Sequence, residues 1–147
     1  MKKTVLLLLL SCFTVFAETQ VLSHESYLST FSYEERKAMK INSVELTLML
    51  EEGTAQLVDI RFKEEYEAWH MPASINIPIN ELPNRLNELD RSKLIVTACP
   101  HKDRAIMART FLKLKGYDTK YLVDGLTGLA DFLRGDNARE FIQELKK

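Results

Sequence analysis

Apolar residues in this chain fall into short unbroken runs separated by longer stretches of mixed spacing. Four runs have the length and composition of strands: Gln56–Ile60, Ala73–Pro78, Leu94–Ala98 and Thr119–Val123. They are continuous rather than alternating, which marks strands covered on both faces. Helical spacing fills the intervals. Tyr33 to Lys40 is charged and predicts a helix ending near Ile41. Asn42 or Ser43 caps the next helix, with Val44, Leu48 and Met49 as its apolar stripe, Leu46 and Leu50 beside them, and Gly53 as its stop. Glu64–Trp69 predicts a short helix, and Asn80 caps another that runs to Leu89 with Pro83 in its first turn. A longer one turns Ile106, Met107, Phe111, Leu112 and Leu114 inward and Arg109, Lys113 and Lys115 outward, ending at Gly116. A turn bracketed by Gly125 and Gly128 feeds Leu129–Leu133, and Asn137 caps a last helix to Lys146. Strands that alternate with helices in this way predict a parallel sheet with helices on both faces. Ligands of such sheets sit beyond the carboxyl ends of the strands.

The N-terminus changes the picture. Lys2 and Lys3 precede an apolar stretch from Val5 to Phe16, and Val15-Phe16-Ala17 suits a leader-peptide cut. Residues 1–17 therefore predict a signal peptide, too short to span a membrane, and a periplasmic or secreted product. A second reading takes Leu9-Leu10-Ser11-Cys12 as a lipidation site at Cys12. Residues 18–40 form an N-terminal extension whose first part, to Ser32, is an extended arm or weak helix, and residues 41–147 form one domain. Without the two leader lysines, 18 basic and 21 acidic residues remain, a net charge of −3, which argues against a nucleic-acid surface. The cysteine count is more telling. The chain has two cysteines, and removal of Cys12 with the leader leaves Cys99 alone. A lone thiol in an oxidising compartment is a free reactive group or an intermolecular partner, and no zinc set is present.

Cys99 ends the run Leu94-Ile95-Val96-Thr97-Ala98 and begins the loop Cys99-Pro100-His101-Lys102-Asp103-Arg104. Loop amides and a helix N-terminus converge on such a position and favour the thiolate, and Lys102 and Arg104 act in the same direction. The site is thus predicted to hold a reactive nucleophile.

The motifs, taken in order, resemble those of single-domain rhodanese-like proteins over Ser43 to Leu133. Leu57-Val58-Asp59-Ile60-Arg61 with Glu65-Tyr66 is similar to the opening motif. His70-Met71-Pro72 with Ile75-Asn76-Ile77-Pro78 is similar to the second. Cys99 to Arg104 resembles the six-residue active-site loop, and Asp124-Gly125 the turn after the last strand. The resemblance implies an α/β fold of rhodanese-like type, with a central, mostly parallel five-stranded sheet and helices on both faces. It implies a sulfurtransferase: Cys99 takes a sulfane sulfur from thiosulfate or polysulfide as a persulfide and passes it to a thiol, cyanide or a protein acceptor. Pro100, His101, Lys102, Asp103 and Arg104 are then the substrate-binding residues, with Arg104 and the loop amides stabilising the persulfide anion. No metal or organic cofactor, nucleic acid or membrane span is implied, and an oligomer is compatible with it. The alternative is a non-catalytic sulfur carrier or partner-binding module. Four residues separate Cys99 from Arg104, one fewer than in the related cysteine phosphatases, so phosphatase activity is not expected. The loop departs from the family pattern at Lys102, where glycine is usual, at Pro100, which lacks an N–H, and at Asp103, an opposing charge.

Other candidates read as structural. Asp59 and Arg61 pair with loops or each other, His70, Trp69 and Tyr66 pack, and Glu64 to Glu67 is a solvated helix face.

Overall fold

The computed structural model describes residues 22–147; the predicted leader and Cys12 lie outside the described residues. Five parallel strands form one sheet in the order β1-β5-β4-β2-β3: β1 Lys40–Ile41, β2 Ala55–Asp59, β3 Ser74–Asn76, β4 Leu94–Ala98 and β5 Thr119–Leu122. Each of the four runs picked out by hydrophobicity is a strand. Neighbouring residues on one strand feed opposite cores. Val58 and Ile95 face one apolar cluster, whereas Leu57 and Val96 face the other. That two-sided burial is why the runs do not alternate. The fifth strand, β1, is two residues at the end of the predicted Tyr33 helix, paired through Lys40 with Tyr121 and Ile41 with Leu122.

The helices are α1 His24–Ser29, α2 Tyr33–Ala38, α3 Ser43–Glu51, α4 Lys63–Ala68, α5 Asp103–Leu114, α6 Gly125–Phe132 and α7 Asp136–Glu144. Helix α5 covers one face of the sheet through Ala105, Ala108 and Leu112; α3 and α6 cover the other through Leu46, Leu126 and Leu129. The helix predicted from Asn80 to Leu89 is instead two short 3₁₀ turns, Leu82–Asn84 and Leu86–Glu88. Pro83, Asn84 and Asn87 favour turns over a continued α-helix.

Two predicted faces hold in part: Met49 and Leu50 of α3 and Ile106, Phe111 and Leu112 of α5 pack on the core as expected, and four positions do not. Val44 and Leu48 of α3 are exposed, and Ser43, Leu46 and Thr47 are buried instead. The cause is anchoring: Asn42 and Glu45 form a capping box, and the Ser43 N–H donates to Asp124 Oδ2 at 2.7 Å, which fixes the helix's rotation. In α5, Met107 is exposed and Arg109 is only 1% exposed. The Arg109 guanidinium donates to the Tyr27 hydroxyl, the Glu35 carboxylate and the Thr119 carbonyl. Tyr27 and Glu35 come from α1 and α2, so the segment before β1 is fastened to α5 by a buried, satisfied cation. No helix among the described residues is long and apolar enough to cross a membrane.

Candidate active site

Strand β4 lies at the centre of the sheet and delivers Cys99 at its carboxyl end; α5 begins four residues later. Hydrogen bonds to three backbone carbonyls hold the turn between them. Thr97 Oγ1 donates to the Ala105 carbonyl at 2.8 Å, and the Leu126 N–H to the Cys99 carbonyl at 2.8 Å. The Pro100 carbonyl accepts from Thr127 Oγ1 at 2.8 Å. Pro100 thus contributes a carbonyl anchor. The loop closes without the glycine that the family pattern places at 102, and no non-glycine residue among those described has a positive φ. The glycine this site needs is Gly125, with φ of 67°: a Cβ there would lie 2.3 Å from the carbonyl oxygens of both Pro100 and His101.

Cys99 is fully buried, at 0% exposure, yet its side chain faces into this loop. The backbone N–H groups of Ala105 and His101 favour the sulfur's anion, and the thiol donates to Asp103 Oδ1 at 3.6 Å. The expected bias toward thiolate is reversed. Burial pushes the thiol above its ordinary range, and the Asp103 carboxylate adds to that, outweighing the two amides. Asp103 itself is held below the usual carboxylate range, mainly by the Arg104 N–H.

The cations expected to favour the thiolate are directed elsewhere. Arg104 clasps Glu65 in a fork, Nη1 to Oε2 at 2.7 Å and Nη2 to Oε1 at 2.9 Å. That pairing, with burial and the Phe62 N–H also acting on it, leaves the Glu65 carboxyl at about 2. By sequence Glu65 is one more charge on a solvated face; its one distinguishing signal is its place beside Tyr66 in the first motif. His101 and Lys102 are exposed. Of the five predicted binding positions, Asp103 alone puts a side-chain atom against the sulfur.

Beside this loop, the end of β2 carries a second carboxylate and guanidinium. Arg61 donates to both oxygens of Asp59, with Nη2 to Oδ2 at 2.7 Å, and also to the Trp69 carbonyl. The Trp69 ring lies 4.3 Å from the guanidinium carbon. Both members are buried, so the pairing expected from sequence is present. Asn76 donates to the carbonyls of Asp59 and Arg61, and Tyr66 stacks on His70 at 4.1 Å.

The sequence model of the Rhodanese-like domain family matches residues 43–131. The chain belongs to that family. It is 40% identical over 89 residues to the HTH-type transcriptional regulator Rv0324 of Mycobacterium tuberculosis, covering 58% of this chain and 39% of that protein. It is 33% identical over 76 residues to the putative sulfur carrier protein YrkF of Bacillus subtilis, covering 52% and 40%. The chain thus spans about 40% of the length of these curated relatives. Among solved structures, the human single-domain sulfurtransferase TSTD1 superposes with a TM-score of 0.57 at 25% identity, covering 64% of this chain and 96% of that one. The α/β fold with its five-stranded parallel sheet is that of the family, and the family and these relatives support a sulfur-transfer role.

Proposed function

We propose that the protein accepts a sulfane sulfur on Cys99 as a persulfide and hands it to a thiophilic acceptor. The observation that carries this reading is a sulfur at the carboxyl end of the central strand, at the turn into α5, where the backbone amides of His101 and Ala105 favour its anion. A persulfide anion placed there is met by preorganised donors, as charge developing in a covalent intermediate requires. The donor is a sulfane-sulfur compound, of which thiosulfate and polysulfide are the two the sequence suggests; the acceptor is a thiol, cyanide or a protein group. Neither half-reaction calls for a metal or an organic cofactor.

A carrier role is the second reading, and the burial of Cys99 favours it. A sulfur that water and small thiols do not reach keeps its cargo until a partner opens the loop. Incubation with a sulfane-sulfur donor followed by cyanide separates the two. Continued thiocyanate formation that is lost in Cys99→Ala marks an enzyme, and a single equivalent marks a carrier. Thiocyanate formed equally well by Cys99→Ala would refute both. Export of the mature protein belongs to the same proposal, and an intact mass beginning at Glu18, without a lipid on Cys12, checks it.

A further inference from the structure

Helix α3 presents an apolar ridge to solvent. Val44 and Leu48, one turn apart, are 51% and 54% exposed, whereas Ser43 and Thr47 are buried. Thr47 Oγ1 donates to carbonyls of its own helix, but Ser43 Oγ is buried with no hydrogen-bond partner among the described residues. Turning the helix by one residue, about 100°, would exchange these two hydroxyls for the two apolar side chains. The Asn42–Glu45 capping box and the Asp124 carboxylate hold it against that turn. The fold therefore forgoes apolar burial and keeps the ridge in water.

The ridge borders a cleft of about 170 Å³, lined also by Phe132 at the end of α6 and Phe141 of α7. The two charged residues that line it, Glu51 and Glu140, are both acidic. Arg139 Nη2 lies 3.9 Å from Glu140 but closer, at 3.3 Å, to Asp136. Helix α3 brings no cation of its own, since no lysine or arginine occurs between Lys40 and Arg61. The cleft is smaller than the roughly 300 Å³ at which small-molecule pockets begin, so it suits a side chain of a partner rather than a cofactor. Apolar anchors at i and i+4 beside a groove form a surface on which an amphipathic helix packs. The acidic rim sets the sign of that helix's polar residues. A second copy of this chain, meeting the cleft face to face, would bring the same acidic rim against it, which like charge disfavours.

We propose that the cleft between α3 and α7 docks a basic amphipathic helix of a partner protein. An apolar side chain of that helix enters beside Leu48, and its lysines or arginines meet Glu51 and Glu140. The cleft belongs to the α3 and α6 side of the sheet, away from α5, and docking there requires nothing of the Cys99 sulfur.

The test titrates the purified protein with two synthetic helical peptides that share one apolar pattern and carry either lysine or glutamate at every polar position, read by amide NMR shifts. The lysine peptide shifts amides of α3 and α7 and binds at least about tenfold more tightly than the glutamate peptide, and added salt narrows the gap. Leu48→Asp, at an exposed position, weakens the lysine peptide about tenfold and leaves the circular dichroism spectrum unchanged. The double variant Glu51→Lys with Glu140→Lys inverts the preference between the peptides. A lysine peptide that does not bind, equal binding of both peptides, shifts confined to other surfaces, or a double variant that keeps the lysine preference would overturn the proposal. Self-association of the protein that is abolished by Leu48→Asp would also overturn it, by assigning the ridge to a second copy.

Discussion

Two neighbouring loops at the carboxyl edge of the sheet carry the same pair of side chains and use them in opposite ways. After β2, Asp59 and Arg61 are two residues apart, both at 1% exposure or less, and bonded to each other under the Trp69 ring. Their charges cancel, and their hydrogen-bonding capacity goes into holding backbone. After β4, Asp103 and Arg104 are adjacent in sequence but serve different partners. The carboxylate turns to the Cys99 thiol, and the guanidinium reaches across to Glu65 on α4. A carboxylate and a guanidinium at a strand end are therefore not a site by composition. What matters is whether they satisfy one another or are held apart, so that one of them faces a group able to react.

The comparison can be broken most severely at the sulfur. Cys99→Ser should abolish sulfur loading while leaving the fold intact, as read by mass and by circular dichroism. Next comes the closed pair. Asp59→Ala strands the buried Arg61 and should cost about 3–5 kcal/mol in urea unfolding. Asp103→Ala, on an exposed residue, should stay within about 1 kcal/mol of the wild-type protein. Gly125→Ala drives a methyl into the Pro100 and His101 carbonyls and should destabilise by about 1–3 kcal/mol, with slower loading because the loop must shift. A pH profile sharpens the contrast. Burial and Asp103 both disfavour the thiolate, so alkylation of Cys99 should remain slow at neutral pH and rise only above the ordinary thiol range. In Asp103→Asn that rise should move to lower pH. The smallest effect belongs to the Arg104–Glu65 fork. Glu65 is bound more tightly as a carboxylate in the fold than in the unfolded chain. Its contribution is therefore present above the ordinary carboxylate value of 4.5 and is lost as pH falls from there toward about 2. With Glu65 at 37% side-chain exposure, Glu65→Gln should cost no more than about 1 kcal/mol of stability.

The sheet was legible because each long strand is buried on both faces and so appears as an unbroken apolar run. Strand β1 was not, because two residues carry no period. Its place is set by pairing with Tyr121 and Leu122, some eighty residues away in sequence. Arg109 shows the same limit. Helical spacing sends a cation outward, and only Tyr27, Glu35 and the Thr119 carbonyl, converging from three other elements, make its burial favourable. At the site, the position of Cys99 followed from strand, loop and helix order. Its protonation did not, because desolvation and the reach of Asp103 and Glu65 depend on distances no spacing encodes.

The most direct test of the central claim is peptide mapping after the protein has been treated with a persulfide donor and its free thiols blocked. One additional sulfur is expected on the peptide that contains residue 99, removed by cyanide. Additional sulfur found elsewhere, or none on that peptide, would contradict it.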